Sequence, residues 1–310
     1  MTEPRHQDHH RQRTTAPPDS GPAGPPPGGV LWDFSGELRA LMSLPAALAM
    51  QVAHPAVGAG VDEHSVFRTD PWGRAERSVR SVLLWVYGGP EGAAEGRRLR
   101  RLHRDIRGTD TAGRRYHALD PALYGWVHAT GFPVMVRARS LLYERPYTAE
   151  EEGRLYTEWR QVGLVLGLRE ADLPPTAAGF EPEYRAWLND LEATPVLREL
   201  TDPRRRIPPP DRGPVLVRLP LRAVWPVVRR PLARAQSFLT TGLMPADARA
   251  AIGLEWTERQ ERRLRRLGRC TARVVPRLPE RLRYLPYAAR ARRASRVPSP
   301  PAAAGDRARV

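Results

Sequence analysis

The sequence contains no lysine and a single cysteine, Cys270, among its 310 residues. One cysteine has nothing to pair with inside the chain, so a disulfide framework and a cysteine metal cluster are both excluded. Such a chain suits a reducing compartment, and the expected location is the cytoplasm. The 50 basic residues are all arginine and face 34 acidic ones, giving a formal net charge of +16. No helix-turn-helix, zinc-finger or RNP-like pattern accompanies that excess, so nucleic acid is not the expected partner. Much of it lies towards the C-terminus, in "DPRRRIPPPDR", "ERRLRRLGR" and "RARRASR". These suit solvated helix faces, or a basic surface in peripheral contact with anionic membrane. Long apolar runs are also scarce. "LMSLPAALAMQVAHPAVGAGV" has the length of a membrane span, but His54 and two prolines inside it point to buried core. The N-terminal segment carries no apolar leader of the signal-peptide kind.

Alternating Val, Ile and Thr runs bounded by turn pairs are scarce, while Leu, Ala and Arg dominate. The expected fold class is all-α, a single globular multi-helix domain. Residues 1–30, rich in Pro, Gly and His, and residues 286–310, basic and rich in Pro and Ala, read as disordered tails around a helical domain over 31–285. Within the domain, Ser35 is expected to cap a first helix and Pro45 to open the apolar one, which Pro55 restarts after His54. Asp70 with Pro71, Asp120 with Pro121, and Thr148 with Glu151 mark three further helix starts.

The usual soluble-enzyme motifs are missing as well. There is no HExxH, no GxSxG, no Walker A loop and no GxGxxG after a strand. What stands out is histidine. Outside the N-terminal tail, His54, His64, His103, His117 and His128 all fall between positions 54 and 128. Leu99, Leu102, His103 and Ile106 share one helical stripe, with Arg100 and Arg107 a turn to either side. A neutral imidazole there could ligate a metal beside anionic groups such as haem propionates, or could be a hydrogen-bonded core histidine. On another helix Thr130 interrupts the stripe of Leu123, Trp126, Val127 and Val134, where its hydroxyl could simply bond back to a carbonyl. A third carries Arg74, Arg77, Ser78 and Ser81 into an apolar stripe, and cations placed so need acceptors.

Taken in order, "ALAMQVAHPAVGAGVDEHSVFRTDPWGRAERS", "RLRRLHRDIRG" and "RRYHALDPALYGWVHAT" resemble the MpaB and rubber-oxygenase family. The specific part of the likeness covers about residues 44 to 132. It implies an all-helical, haem-dependent oxygenase with a buried haem pocket and non-covalent haem, acting with dioxygen on an apolar, isoprenoid or lipid-like substrate. By the same likeness His103 would be the iron ligand, and Arg100 and Arg107 would neutralise propionates or orient it. His54 and His64 would wall the pocket, with Gly58 and Gly60 allowing close approach. Arg74, Arg77 and Thr130 would shape the space where dioxygen and substrate meet. Arg77 stands where the rubber-cleaving members have a Lys that can cover the iron, and Arg is bulkier and permanently charged, so rubber itself is not the expected substrate. The rival expectation is a non-catalytic helical ligand-binding or peripheral membrane protein that keeps the fold.

Overall fold

Proline and short polar caps decide where the chain turns. The structure, a computed structural model, describes residues 24–211 and 215–296. In chain order come α1 (Val30–Ser35), α2 (Leu38–Ala53), α3 (Pro55–His64), α4 (Pro71–Tyr87) and α5 (Pro90–His103). A small antiparallel hairpin follows, β1 (Arg107–Thr109) with β2 (Arg115–His117), in which Gly108 lies opposite Tyr116. The chain continues through α6 (Pro121–Ala129), α7 (Gly131–Leu142), α8 (Ala149–Val165), α9 (Ala177–Leu188) and α10 (Pro195–Thr201). It ends in α11 (Val215–Leu243), α12 (Ala246–Ile252), α13 (Glu258–Val274), α14 (Glu280–Arg283) and α15 (Pro286–Arg296).

Asp70 and Asp120 accept backbone N–H groups at the starts of α4 and α6, with Pro71 and Pro121 at the first helical positions. Thr148 and Glu151 form the reciprocal capping box of α8. Pro55 keeps His54 out of the helical region, at φ −74° and ψ 125°, and α2 and α3 meet at 107°. Among the described residues no helix is long and apolar enough to cross a membrane.

The centre is α2. Ala46, Ala49 and Ala53 are wholly buried, and their small side chains let α3, α7, α10 and α11 pack closely around the helix. Beside it lies a buried ionic knot. Arg39 forks onto Glu37 with bonds of 2.7 and 3.0 Å, donates to the Leu142 carbonyl and stacks on Tyr143, while Arg283 also bonds Glu37. That knot ties α2 to the C-terminal segment.

Several expectations change. Ser35 is the last residue of α1 rather than a cap, and Pro45 lies inside α2. The run from Asp120 to Tyr143 breaks at Thr130 into α6 and α7, and the hairpin was not foreseen. Residues 286–296, assigned from composition to the C-terminal tail, form α15, whose Ala288 is fully buried against Gly36. Small alanines on one side of a basic helix are enough to dock it. At the other end α1 takes in Val30, the last residue of the expected N-terminal tail, and residues 1–23 and 297–310 lie outside the described residues.

Candidate functional site

A cavity of about 580 Å³ opens between α2, α3, α4, α5, α6, α7 and α8. Its wall is mostly aliphatic, including Leu44, Leu48, Val57, Val61, Leu123 and Val127. That size and lining are typical of small-molecule sites. Leu102, more than half exposed, stands at the rim.

His103 ends α5 and lines this cavity. Its Nδ1 lies 2.8 Å from the Leu99 carbonyl oxygen, which can only accept, so the proton sits on Nδ1 and the lone pair on Nε2. Nε2 has no hydrogen-bond partner among the described residues. Burial, with help from the charges of Arg74 and Arg98, pushes the ring's pKa below its ordinary 6.5 despite the opposing Leu99 bond. The imidazole is therefore neutral at physiological pH and offers one free donor atom. Tyr124 packs its ring edge-on to His103 at 6.4 Å and fixes the plane.

Three arginines reach the cavity. Arg77 pairs with the N-cap Asp70 at 3.1 Å, and Arg98 with Glu95 at 2.7 Å. Arg74 has no carboxylate within ion-pair distance among the described residues; it bonds only Ser78 Oγ, one turn along α4. Burial, then the neighbouring charge of Arg77, lowers its pKa.

His128 on α6 is the other unusual group. It lines the cavity, stacks on Trp159 at 4.5 Å with 9° between planes, and neither ring nitrogen has a hydrogen-bond partner among the described residues. Complete burial pulls its pKa down to about 3.

Of the residues singled out in the sequence, His103, His64, Arg74 and Arg77 meet at this cavity. Gly60, Ser78, Ser81 and His128 line it as well, whereas His54, Gly58, Arg100, Arg107, His117 and Thr130 lie outside its wall. Arg100 donates to the Gly167 carbonyl at 3.0 Å, tying α5 to the end of α8. Arg107 is exposed in β1, paired in register with His117. His54 Nδ1 accepts the Ala56 N–H as the N-cap of α3. Thr130 is fully buried; it donates to the Val127 carbonyl at 2.8 Å and accepts from Gln51, at the break between α6 and α7. Gly58 makes its close approach to the Val52 carbonyl and Thr194, a helix-packing contact. Glu63 bonds Tyr116 and sits 3.6 Å from His64, at the edge of the cavity. Trp85 and Tyr124, not singled out in the sequence, also line it. The one available signal was that Tyr124 and His128 stand four apart on α6, hence on one face.

Comparison with known proteins agrees with this geometry. Residues 32–273 match the family model described as the ER-bound oxygenase mpaB/B'/rubber oxygenase catalytic domain. Two uncharacterized proteins, one of Mycobacterium bovis and one of Mycobacterium tuberculosis, are each 29% identical over 230 residues, covering 71% of this chain and 83% of the relative. No solved structure matches. The matched span takes in every helix of the cavity wall, and the chain thus belongs to the mpaB/rubber-oxygenase catalytic-domain family, an oxidoreductase of that oxygenase type.

Proposed function

We propose that the protein is a haem-dependent oxygenase in which His103 holds the iron and an apolar, isoprenoid or lipid-like substrate occupies the same cavity with dioxygen. The observation that carries this reading is the neutral His103, with Nδ1 tied to Leu99 and Nε2 free at an apolar cavity. That is how a proximal histidine is oriented for a metal. Among the described residues no group of three His, Cys, Asp or Glu side chains could hold an ion without a macrocycle, so a single-histidine haem site suits the donor set better than a protein-only centre. Arg74 supplies a cation without a carboxylate, and His64, Arg77 and Ser78 provide polar groups at the same wall.

Bound haem would supply the redox chemistry of oxygen activation. The chain's own residues do the rest. Leu99 fixes the His103 tautomer, Tyr124 its plane, and the aliphatic wall of α2, α3 and α6 excludes water and holds an apolar substrate. Arg77, held by Asp70, keeps a fixed positive charge at the cavity wall.

The test is an absorption spectrum of protein prepared with haem, followed by oxygen uptake with isoprenoid and lipid substrates. A Soret band near one haem per chain and substrate-dependent uptake support the reading. A protein that stays colourless overturns it and leaves a helical ligand-binding protein.

A second reading concerns location. The first half of α11 exposes Leu219, Val224 and Val227, the last 75% accessible, beside Arg222 and Arg230. An apolar face flanked by arginines suits peripheral contact with anionic lipid, from which a lipid-like substrate could be taken.

A further inference from the structure

The cavity is not uniformly apolar, and its polar spot is specific. Of the three arginines in its wall, Arg77 and Arg98 each have a carboxylate, at 3.1 and 2.7 Å. Arg74 has none among the described residues, although it is largely withdrawn from solvent and Arg77 lies close enough to repel it. Its Nη1 bonds Ser78 Oγ, whose hydroxyl in turn is 3.0 Å from the Arg74 carbonyl oxygen. The remaining guanidinium N–H groups have no acceptor among the described residues. An unpaired cation in such a place is costly, and the cost is removed when an anion binds. A guanidinium matches the two oxygens of a carboxylate or phosphate in a fork. Much of the rest of the wall, including Leu44, Leu48, Val57 and Val61, is aliphatic and suits hydrocarbon.

We infer that the cavity binds an aliphatic chain ending in an anionic head, a carboxylate or a phosphate, and that Arg74 holds the head. This names the substrate class of the proposed oxygenase and rests on that reading for the reaction, while the binding itself stands without haem. Arg74 and His103 line the same cavity, so the head is held at its Arg74 wall and the tail runs along the aliphatic part.

The experiment uses the full chain, prepared both haem-free and haem-loaded. Binding of palmitate, hexadecyl phosphate and methyl palmitate is followed through tryptophan fluorescence, Trp85 being in the wall. The haem-free wild type is expected to bind palmitate or the phosphate on the order of tenfold tighter than the ester. Whichever acid binds tighter identifies the head. Arg74→Gln should abolish the preference and leave ester affinity unchanged, while Arg74→Lys should keep part of it. Equal affinities in the haem-free wild type would overturn the inference, and so would a preference that survives Arg74→Gln. Loss of haem in Arg74→Gln with the head preference intact would assign Arg74 to a propionate instead, which also overturns it. A protein that never takes up haem yet prefers the acids would sink the oxygenase reading and leave this one standing.

Discussion

The Nδ1 of His103 lies 2.8 Å from the carbonyl oxygen of Leu99, one turn back on α5. That contact decides the chemistry of the ring. It fixes the proton on the nitrogen facing the helix and leaves the other nitrogen to the cavity, while burial keeps the ring from charging. Helix α5 is in turn held at a set height by Gly96, where a Cβ would collide with the Val165 carbonyl of α8.

That packing gives a pair of opposite predictions. Gly96→Ala should destabilise by about 1–3 kcal/mol, because backbone meets backbone and nothing flexible can yield. Gly153→Ala, in α8 with open space around it, should stabilise by roughly 0.5–1 kcal/mol. Urea denaturation of both variants checks the signs.

The Glu37 knot should add to acid sensitivity. Burial alone would raise this carboxyl, but hydrogen bonds and charge from Arg39 and Arg283 outweigh it and hold it below its ordinary 4.5. Its contribution is therefore complete above pH 4.5 and is lost as pH falls through the lower folded value. Glu37→Gln leaves two arginines facing a neutral amide and should cost about 3–5 kcal/mol at neutral pH. Denaturation midpoints measured across acid pH should fall steeply in the wild type and more gently in the variant.

His128 makes a distinct pH signature. Its folded value near 3 lies below the ordinary 6.5, so the unfolded chain takes up the proton first. The sign is a loss of stability as pH drops below 6.5, approaching roughly 1.4 kcal/mol per pH unit. His128→Phe keeps the stack on Trp159 and removes the titration. Its stability between pH 6.5 and 5 should be flatter than the wild type's; an unchanged slope would contradict the assignment.

Much of the frame was legible because it rests on local signals. Asp70-Pro71, Asp120-Pro121 and the Thr148–Glu151 box each act within one turn, and each starts the helix expected of it. Long-range packing was not legible. Proline and alanines near Pro286 permit a helix, but what docks α15 is Ala288 meeting Gly36, far away in sequence. The site divides in the same way. The stripe that carries His103 is a helical period and could be read as far as His103, where α5 ends short of Ile106 and Arg107. The bond from Thr130 to the Val127 carbonyl is equally local, whereas Arg100 reaches Gly167 and Gln51 reaches Thr130 across the fold. Those two long-range contacts are made by tertiary structure alone, and they place Arg100 and Thr130 outside the cavity wall.

The α11 surface predicts salt-dependent membrane contact. Vesicles containing phosphatidylserine should retain the protein at low ionic strength and release it as salt screens the arginines. Val227→Glu together with Leu219→Glu should weaken retention on the order of tenfold or more without changing the helical content. Equal binding of wild type and variant would remove this surface from consideration.

The most direct measurement of the central claim is haem titration of His103→Gly beside the wild type, with and without added imidazole. The proposed role predicts a Soret band in the wild type, its loss in the variant, and its return when imidazole takes the vacated place. A variant that binds haem with the wild-type spectrum in the absence of imidazole would contradict it.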